Sequence, residues 1–134
     1  MASLVDPLAH YLKTHEWVRP VPDVVGEYYA GISDHAQQEM SDIVFAEVPR
    51  VGAKLAAGEI FGVVESVKAA SDVFMPMSGT VTAVNQAVEA SPEVINQEPY
   101  GSGWMIRFKA DAPDKLSDLM DAAAYAHFLS EIAH

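Results

Sequence analysis

Through the middle of the chain, apolar residues come in short runs broken by turn formers. Between Asp42 and Lys109 the runs are Ile43–Val48, Glu59–Val64, Val73–Met75, Thr80–Val84 and Trp104–Phe108, with Gly, Pro and Asn between them. Short strands at this spacing predict an all-β sandwich or barrel. Upstream, Glu16–Arg19 and Glu27–Ile32 read as a strand and its return. Pro20 and Pro22 make the stretch between them an edge or a loop, because proline offers no N–H to a ladder. Two turns share a Pro-x-x-Gly spacing, Pro49 to Gly52 and Pro76 to Gly79, too brief a match to establish an internal duplication.

Helical signals sit at the two ends. Residues 4–13 are expected to form a short turn or helix. Ser33 suits the N-cap of a short helix over Asp34–Met40, with Asp34 favourable in its first turn. Pro113 suits the first position of a helix through about Leu119. Asp121 caps a second one over Ala122–Ile132, whose Tyr125, Phe128, Leu129 and Ile132 fall at helical spacing. Both are read as helices packed on the sheet. The expectation is a mainly β fold in one domain, 1–134, with short N-terminal and C-terminal helices, the last about 113–132.

Composition narrows the function. The chain has 134 residues, half of them apolar, enough for one packed core. Eight basic against nineteen acidic residues give a formal charge of −11. Nucleic acid and anionic membrane surfaces both require a basic face, so neither is a partner. Partners with basic patches fit better. With no cysteine, disulfides, thiol nucleophiles and thiolate zinc sites are excluded. No apolar run approaches a membrane span. The N-terminus, Met1-Ala2-Ser3-Leu4-Val5-Asp6-Pro7, lacks the basic and apolar regions of a secretory signal, and a bacterial cytoplasmic location is expected.

The five histidines are scattered, and none pairs with another at metal-ligand spacing. His15 is read as a structural hydrogen-bonding residue, and Trp17 and Trp104 as packing residues. No Gly-rich phosphate loop and no Ser-His-Asp arrangement appears. One lysine stands out. Lys68 lies in Gly62-Val63-Val64-Glu65-Ser66-Val67-Lys68-Ala69-Ala70-Ser71-Asp72-Val73, which is strand-like on both sides of it. No Gly, Pro or Asn dictates a turn there.

Glu65-Ser66-Val67-Lys68-Ala69 followed by Ser71-Asp72 resembles the lipoylation hairpin of glycine cleavage H proteins. The resemblance runs in order along nearly the whole chain. Thr14-His15-Glu16-Trp17 resembles the family's N-terminal signature, and Gly31-Ile32-Ser33-Asp34-His35-Ala36-Gln37 its first helix. Asp42-Ile43-Val44-Phe45 with Glu47 and Pro49 resembles the next strand. Pro76, Ser78-Gly79 and Val84-Asn85 resemble the strand after the hairpin. Ser91-Pro92, Ile95-Asn96, Pro99-Tyr100-Gly101 and Gly103-Trp104 resemble the later loop. Two local departures bear on loop geometry: Ser41 stands where the family usually has Gly, and Pro20 to Gly26 is proline-rich and slightly long. Biotin carriers share the fold, but their target lysine usually sits between two methionines. Here it sits between Val67 and Ala69.

The resemblance implies a lipoyl/biotinyl-type flattened β-barrel or sandwich, with the hairpin 63–73 presenting Lys68 for N6-lipoyl attachment. It implies a carrier, not an enzyme. The lipoyl arm takes the aminomethyl group of glycine from a pyridoxal-phosphate glycine decarboxylase to a tetrahydrofolate-dependent aminomethyltransferase. A dihydrolipoyl dehydrogenase then reoxidises it. Attachment of lipoate by a lipoate-attaching enzyme would move the formal charge from −11 to −12. Glu65, beside the lysine, is expected to help that enzyme recognise its target. Glu16 and Asp72 are expected to line the cleft that shelters the aminomethyl-loaded arm, where carboxylates accept charge-assisted hydrogen bonds from an ammonium. A monomer suits a carrier that visits several active sites. The nearest rival is an H-like protein serving mainly as a lipoyl donor to other enzymes. An unmodified interaction domain and a small hydrolase built on Glu16 and Asp72 are weaker readings, the last lacking a nucleophile and a metal.

Overall fold

The computed structural model describes residues 3–133. Among these residues, nine strands form two antiparallel sheets. The larger has six strands in the order β1 (His10–Tyr11), β2 (Glu16–Pro20), β3 (Glu27–Ile32), β9 (Ile106–Ala110), β8 (Gly79–Val84) and β5 (Lys54–Leu55). The smaller has three, in the order β4 (Ile43–Glu47), β6 (Ile60–Ser66) and β7 (Ala70–Phe74). The fold is therefore mainly β, as the apolar spacing predicts.

The inner faces of the sheets close over a core that includes Val18, Ile32, Val64, Val73, Met105 and Phe108. A second cluster lies under the C-terminal helix α4 (Ala122–Ile132), where Ala9, Tyr11, Trp17 and Tyr125 are buried. The Tyr11 and Tyr125 rings stack there with centroids 4.1 Å apart. The Trp17 indole N–H donates to the Pro99 carbonyl at 3.0 Å, so its polar edge is satisfied inside the core. Within the smaller sheet, β4 and β6 run so close together that a Cβ at Gly62 would collide with the Glu47 carbonyl oxygen.

Caps end the helices where the side chains suggest. Ser33 accepts the Ala36 N–H at the start of α1 (Asp34–Met40), and Asp121 accepts the Ala124 N–H at the start of α4. Of the turn or helix expected over residues 4–13, the chain takes the turn. Asp6 accepts the Leu8 N–H in a tight turn, and His10–Tyr11 then pairs with β2. Other expectations are corrected. Pro113–Asp118 winds as a 3-10 helix rather than an α-helix. The last strand starts at Ile106, because Trp104 still belongs to the turn that its N–H closes on Gly101. The helices α2 (Gln86–Ala90) and α3 (Glu93–Gln97) and the strand β5 fall outside the apolar pattern altogether.

Ser41, where the resemblance leads one to expect glycine, has φ 65° and ψ −151°. That region costs a residue with a Cβ on the order of 1–3 kcal/mol. The strain is held by Asn96, which donates to the Ser41 carbonyl at 2.8 Å and accepts the Ile43 N–H at 2.9 Å. Ser41→Gly is expected to stabilise the fold by about 1 kcal/mol, the relief of strain exceeding the extra freedom glycine adds to the unfolded chain. Urea unfolding measures it. A midpoint at or below that of the parent would contradict the strain argument.

Candidate functional site

Lys68 sits at the tip of the β6–β7 hairpin. The last ladder pair is Glu65 with Ala70, and the Ser66 N–H closes the loop on the Ala69 carbonyl at 2.8 Å. The Ser66 hydroxyl accepts the Ala69 N–H at 3.2 Å. Only Val67 and Lys68 lie outside this closure, and neither has a positive φ. The tight turn is thus stapled by a serine rather than supplied by glycine. Val67 and Lys68 are both exposed, and among the described residues Lys68 joins no ion pair.

Behind the tip lies a cleft of about 390 Å³. One wall is the hairpin itself, through Val64, Ala69, Ser71 and Asp72. The opposite wall is α1, through His35, Ala36, Glu39 and Met40, and the end is Thr14, His15, Glu16 and Ile32. Ala69 directly follows Lys68, so a group tethered to that lysine starts at the cleft's rim. The lining holds the carboxylates Glu16, Glu39 and Asp72 but no lysine or arginine. Apolar floor and acidic walls together suit a slender apolar chain ending in a cation.

Glu16 is 2 % exposed. Its carboxylate spans the two sheets: one oxygen accepts the Phe74 N–H from β7 at 2.9 Å, and the other accepts a short hydrogen bond from the Thr14 hydroxyl. Burial pushes its pKa up, and those two donors oppose the rise. Asp72 is exposed on β7, on the cleft's outer lip. Glu65 is exposed on β6 and does not line the cleft. The structure therefore brings Glu16 and Asp72 to one cavity, sets Lys68 next in the chain to its lining residue Ala69, and leaves Glu65 outside the lining.

Sequence reasoning missed the α1 wall, whereas His15, read as a structural hydrogen-bonding residue, is one and also lines the cleft. His15 has φ 80°, held in this left-handed region by its own N–H on the Leu12 carbonyl and by the Ser33 N–H on its carbonyl. Its Nδ1 lies 2.7 Å from the Tyr125 hydroxyl, which in turn lies 2.7 Å from the Ser33 hydroxyl. Its ring stands 4.5 Å from that of His35. Burial, followed by the proximity of His35, lowers its pKa to about 4, so the imidazole is neutral at pH 7. These residues are far apart in sequence, and the usable signal was the odd pairing of a histidine with the Thr-x-Glu-Trp strand entry.

Comparison with known proteins decides the family. The model of the glycine cleavage H-protein family matches residues 9–132. The chain belongs to the glycine cleavage H-protein family. A glycine cleavage system H protein of Pseudoalteromonas atlantica is 50% identical over 121 residues, covering 90% of this chain and 92% of that one. One from Vibrio cholerae is 45% identical over 127 residues, covering 95% and 99%. A crystal structure of a glycine cleavage system H protein from Mycobacterium marinum superposes with a TM-score of 0.85 at 32% identity, over 94% of this chain and 99% of that one. As an H protein the chain is the carrier subunit of the glycine cleavage system rather than one of its catalysts. No helix among the described residues is long and apolar enough to cross a membrane.

The depressed pKa of His15 has a consequence for stability. Between about 4 and the ordinary value of 6.5 the unfolded chain binds the proton and the folded chain refuses it. Stability from this group is thus complete above pH 6.5 and is lost as pH falls toward 4. Glu16 acts in the opposite sense, so the comparison must be differential. The stability advantage of the parent over His15→Gln is expected to shrink steadily across that window in urea melts. A difference independent of pH would remove the assigned cause.

Proposed function

We propose that Lys68 bears lipoate in amide linkage and that the cleft behind the hairpin shelters the aminomethyl cargo between partner enzymes. The observation that carries this reading is an exposed lysine on a stapled two-residue tip, rooted at the rim of a cavity walled by carboxylates. Lysine suits the attachment because its amine forms a stable amide at the end of a flexible stem. When bound, lipoate supplies a disulfide that undergoes thiol exchange, chemistry this cysteine-free chain otherwise lacks.

The side chains divide the remaining work. Lys68 holds the arm outside the core, where a lipoate-attaching enzyme reaches it, and Glu65 supplies an acidic mark next to it. Glu16 and Asp72 accept hydrogen bonds from the cargo's ammonium. Glu16 already accepts one hydrogen bond on each oxygen, and each oxygen retains a lone pair for a third donor. An entering cation also relieves the desolvation that raises its pKa. Val64, Ile32 and Met40 keep water from the arm's apolar stem. The partners are the pyridoxal-phosphate glycine decarboxylase, the tetrahydrofolate-dependent aminomethyltransferase and the dihydrolipoyl dehydrogenase, met by a monomer in a bacterial cytoplasm. The charge of −11 selects partners with basic docking faces, and these encounters weaken with salt.

Intact-mass analysis of the chain from its native source tests the attachment. One lipoyl increment is expected, absent from Lys68→Arg; an unmodified native chain would end the proposal. Glu16→Gln with Asp72→Asn tests the shelter. Glutamine at position 16 can still accept the Phe74 N–H and donate to Thr14, so the sheets stay joined. Losing charged acceptors is expected to shorten the lifetime of the aminomethyl-loaded form about tenfold or more. An unchanged lifetime would retire both residues. Glu65→Ala is expected to slow lipoylation with no effect on that lifetime.

A further inference from the structure

Two imidazoles, those of His15 and His35, line the cleft, and an imidazole with a free nitrogen is a hazard to this cargo. An aminomethyl group bound to sulfur is stable while its nitrogen is an ammonium. If a base takes one proton, the nitrogen lone pair forms a C=N bond, the C–S bond breaks, and the electron pair leaves on sulfur as thiolate. Water then converts the released iminium to formaldehyde and ammonium. A ring nitrogen left free toward the cleft can accept that proton.

The hydrogen-bond chain behind His15 determines which ring nitrogen is free. Ser33 is fully buried, and its hydroxyl oxygen accepts the Ala36 N–H at 3.2 Å. Among the described residues the one acceptor within reach of the Ser33 hydroxyl proton is the Tyr125 oxygen, 2.7 Å away. A hydroxyl has one proton to give. With its oxygen engaged by Ser33, Tyr125 gives its own proton to His15 Nδ1, also 2.7 Å away. His15 Nδ1 is then an acceptor, and its proton resides on Nε2. The opposite order would leave the Ser33 hydroxyl buried without an acceptor. Burial raises the pKa of Tyr125, so it remains a donor throughout the physiological range.

We propose that α4, through Tyr125 and Ser33, holds His15 as the Nε2–H tautomer, so that the ring meets the cleft as a hydrogen-bond donor and cannot serve as a base toward the cargo. Tyr125 is in this sense a positioning residue acting through His15. The inference rests on the reading that the cleft shelters an aminomethyl group, but the tautomer itself is a property of the unmodified chain. The groups that face His15 are His35 and Glu39 from α1, Glu16 from β2, Tyr125 from α4 and, across the cleft, Asp72 from β7. The low pKa of His15 agrees with a ring kept neutral in this company.

Nitrogen-15 NMR of the uniformly labelled full chain, unmodified, reads the tautomer directly. Long-range correlations are expected to show His15 with a protonated Nε2 and an unprotonated Nδ1 from pH 8 down to pH 5. An Nδ1–H pattern would overturn the proposal without bearing on Lys68. Tyr125→Phe removes the lock. On the lipoylated, aminomethyl-loaded protein it is expected to shorten the lifetime at least fivefold at pH 8, with less effect at low pH as the freed ring is protonated. His15→Gln in the Tyr125→Phe background is expected to restore the parental lifetime, which repair of mere structural damage would not do. A folded Tyr125→Phe chain with an unaltered lifetime, or a defect that His15→Gln fails to repair, would overturn it. Absence of any lipoyl increment on the native chain would instead count against the assignment of Lys68, leaving the tautomer measurement standing.

Discussion

The two sheets are joined by a buried acid. Glu16 leaves the six-stranded sheet and accepts a backbone N–H from the outermost strand of the smaller one. That donor belongs to an edge strand, whose unpaired groups would otherwise invite another chain. The same carboxylate is thus a cross-brace, an edge cover and part of the cleft wall. Ionised carboxylates are rarely so deeply buried without a cation. Here two neutral donors, the Thr14 hydroxyl and the Phe74 N–H, serve the carboxylate, and burial raises its pKa.

Around this brace, α1 and α4 perform different tasks. The first closes the cleft with Met40 and Ala36 and contributes Glu39 and His35 to its rim. The second never reaches the hairpin. Its contribution travels through Tyr125, which stacks on Tyr11 in the satellite core and ends against His15. Packing energy from an aromatic pair is thereby used to fix a hydroxyl within hydrogen-bonding range of a histidine ring. Helix packing and the cleft's acid–base character are one structural problem.

Much of this was legible along the chain. Alternation and turn formers located most strands, and the oxygen of Asp121 marked the start of α4 because a capping side chain is a local signal. The helices α2 and α3 were not legible: each has five residues, too few for an apolar stripe to repeat. The tip at Lys68 escaped the residue chemistry as well, since its turn is closed by Ser66 and uses no glycine, and it was found by resemblance. Glu16 and Asp72 were named in the same way, and both line the cleft. His15 and Tyr125, 110 positions apart, meet only because β1, β2 and α4 fold together, and no local pattern encodes such a meeting. Ser41 is the converse case, where the departure from glycine is visible in sequence and its backbone consequence only in three dimensions.

The hairpin tip is short, with only Val67 and Lys68 beyond the Ser66–Ala69 hydrogen bonds. Whatever is leashed to that nitrogen explores a volume set by its own length, with the cavity mouth always inside it. Leashes of this kind correspond to local concentrations on the order of millimolar. A cavity that gripped a free molecule with only millimolar strength would still hold the leashed one about half of the time. At that affinity retention and release would be nearly balanced, and drawing the leashed group out would take only a small free-energy difference.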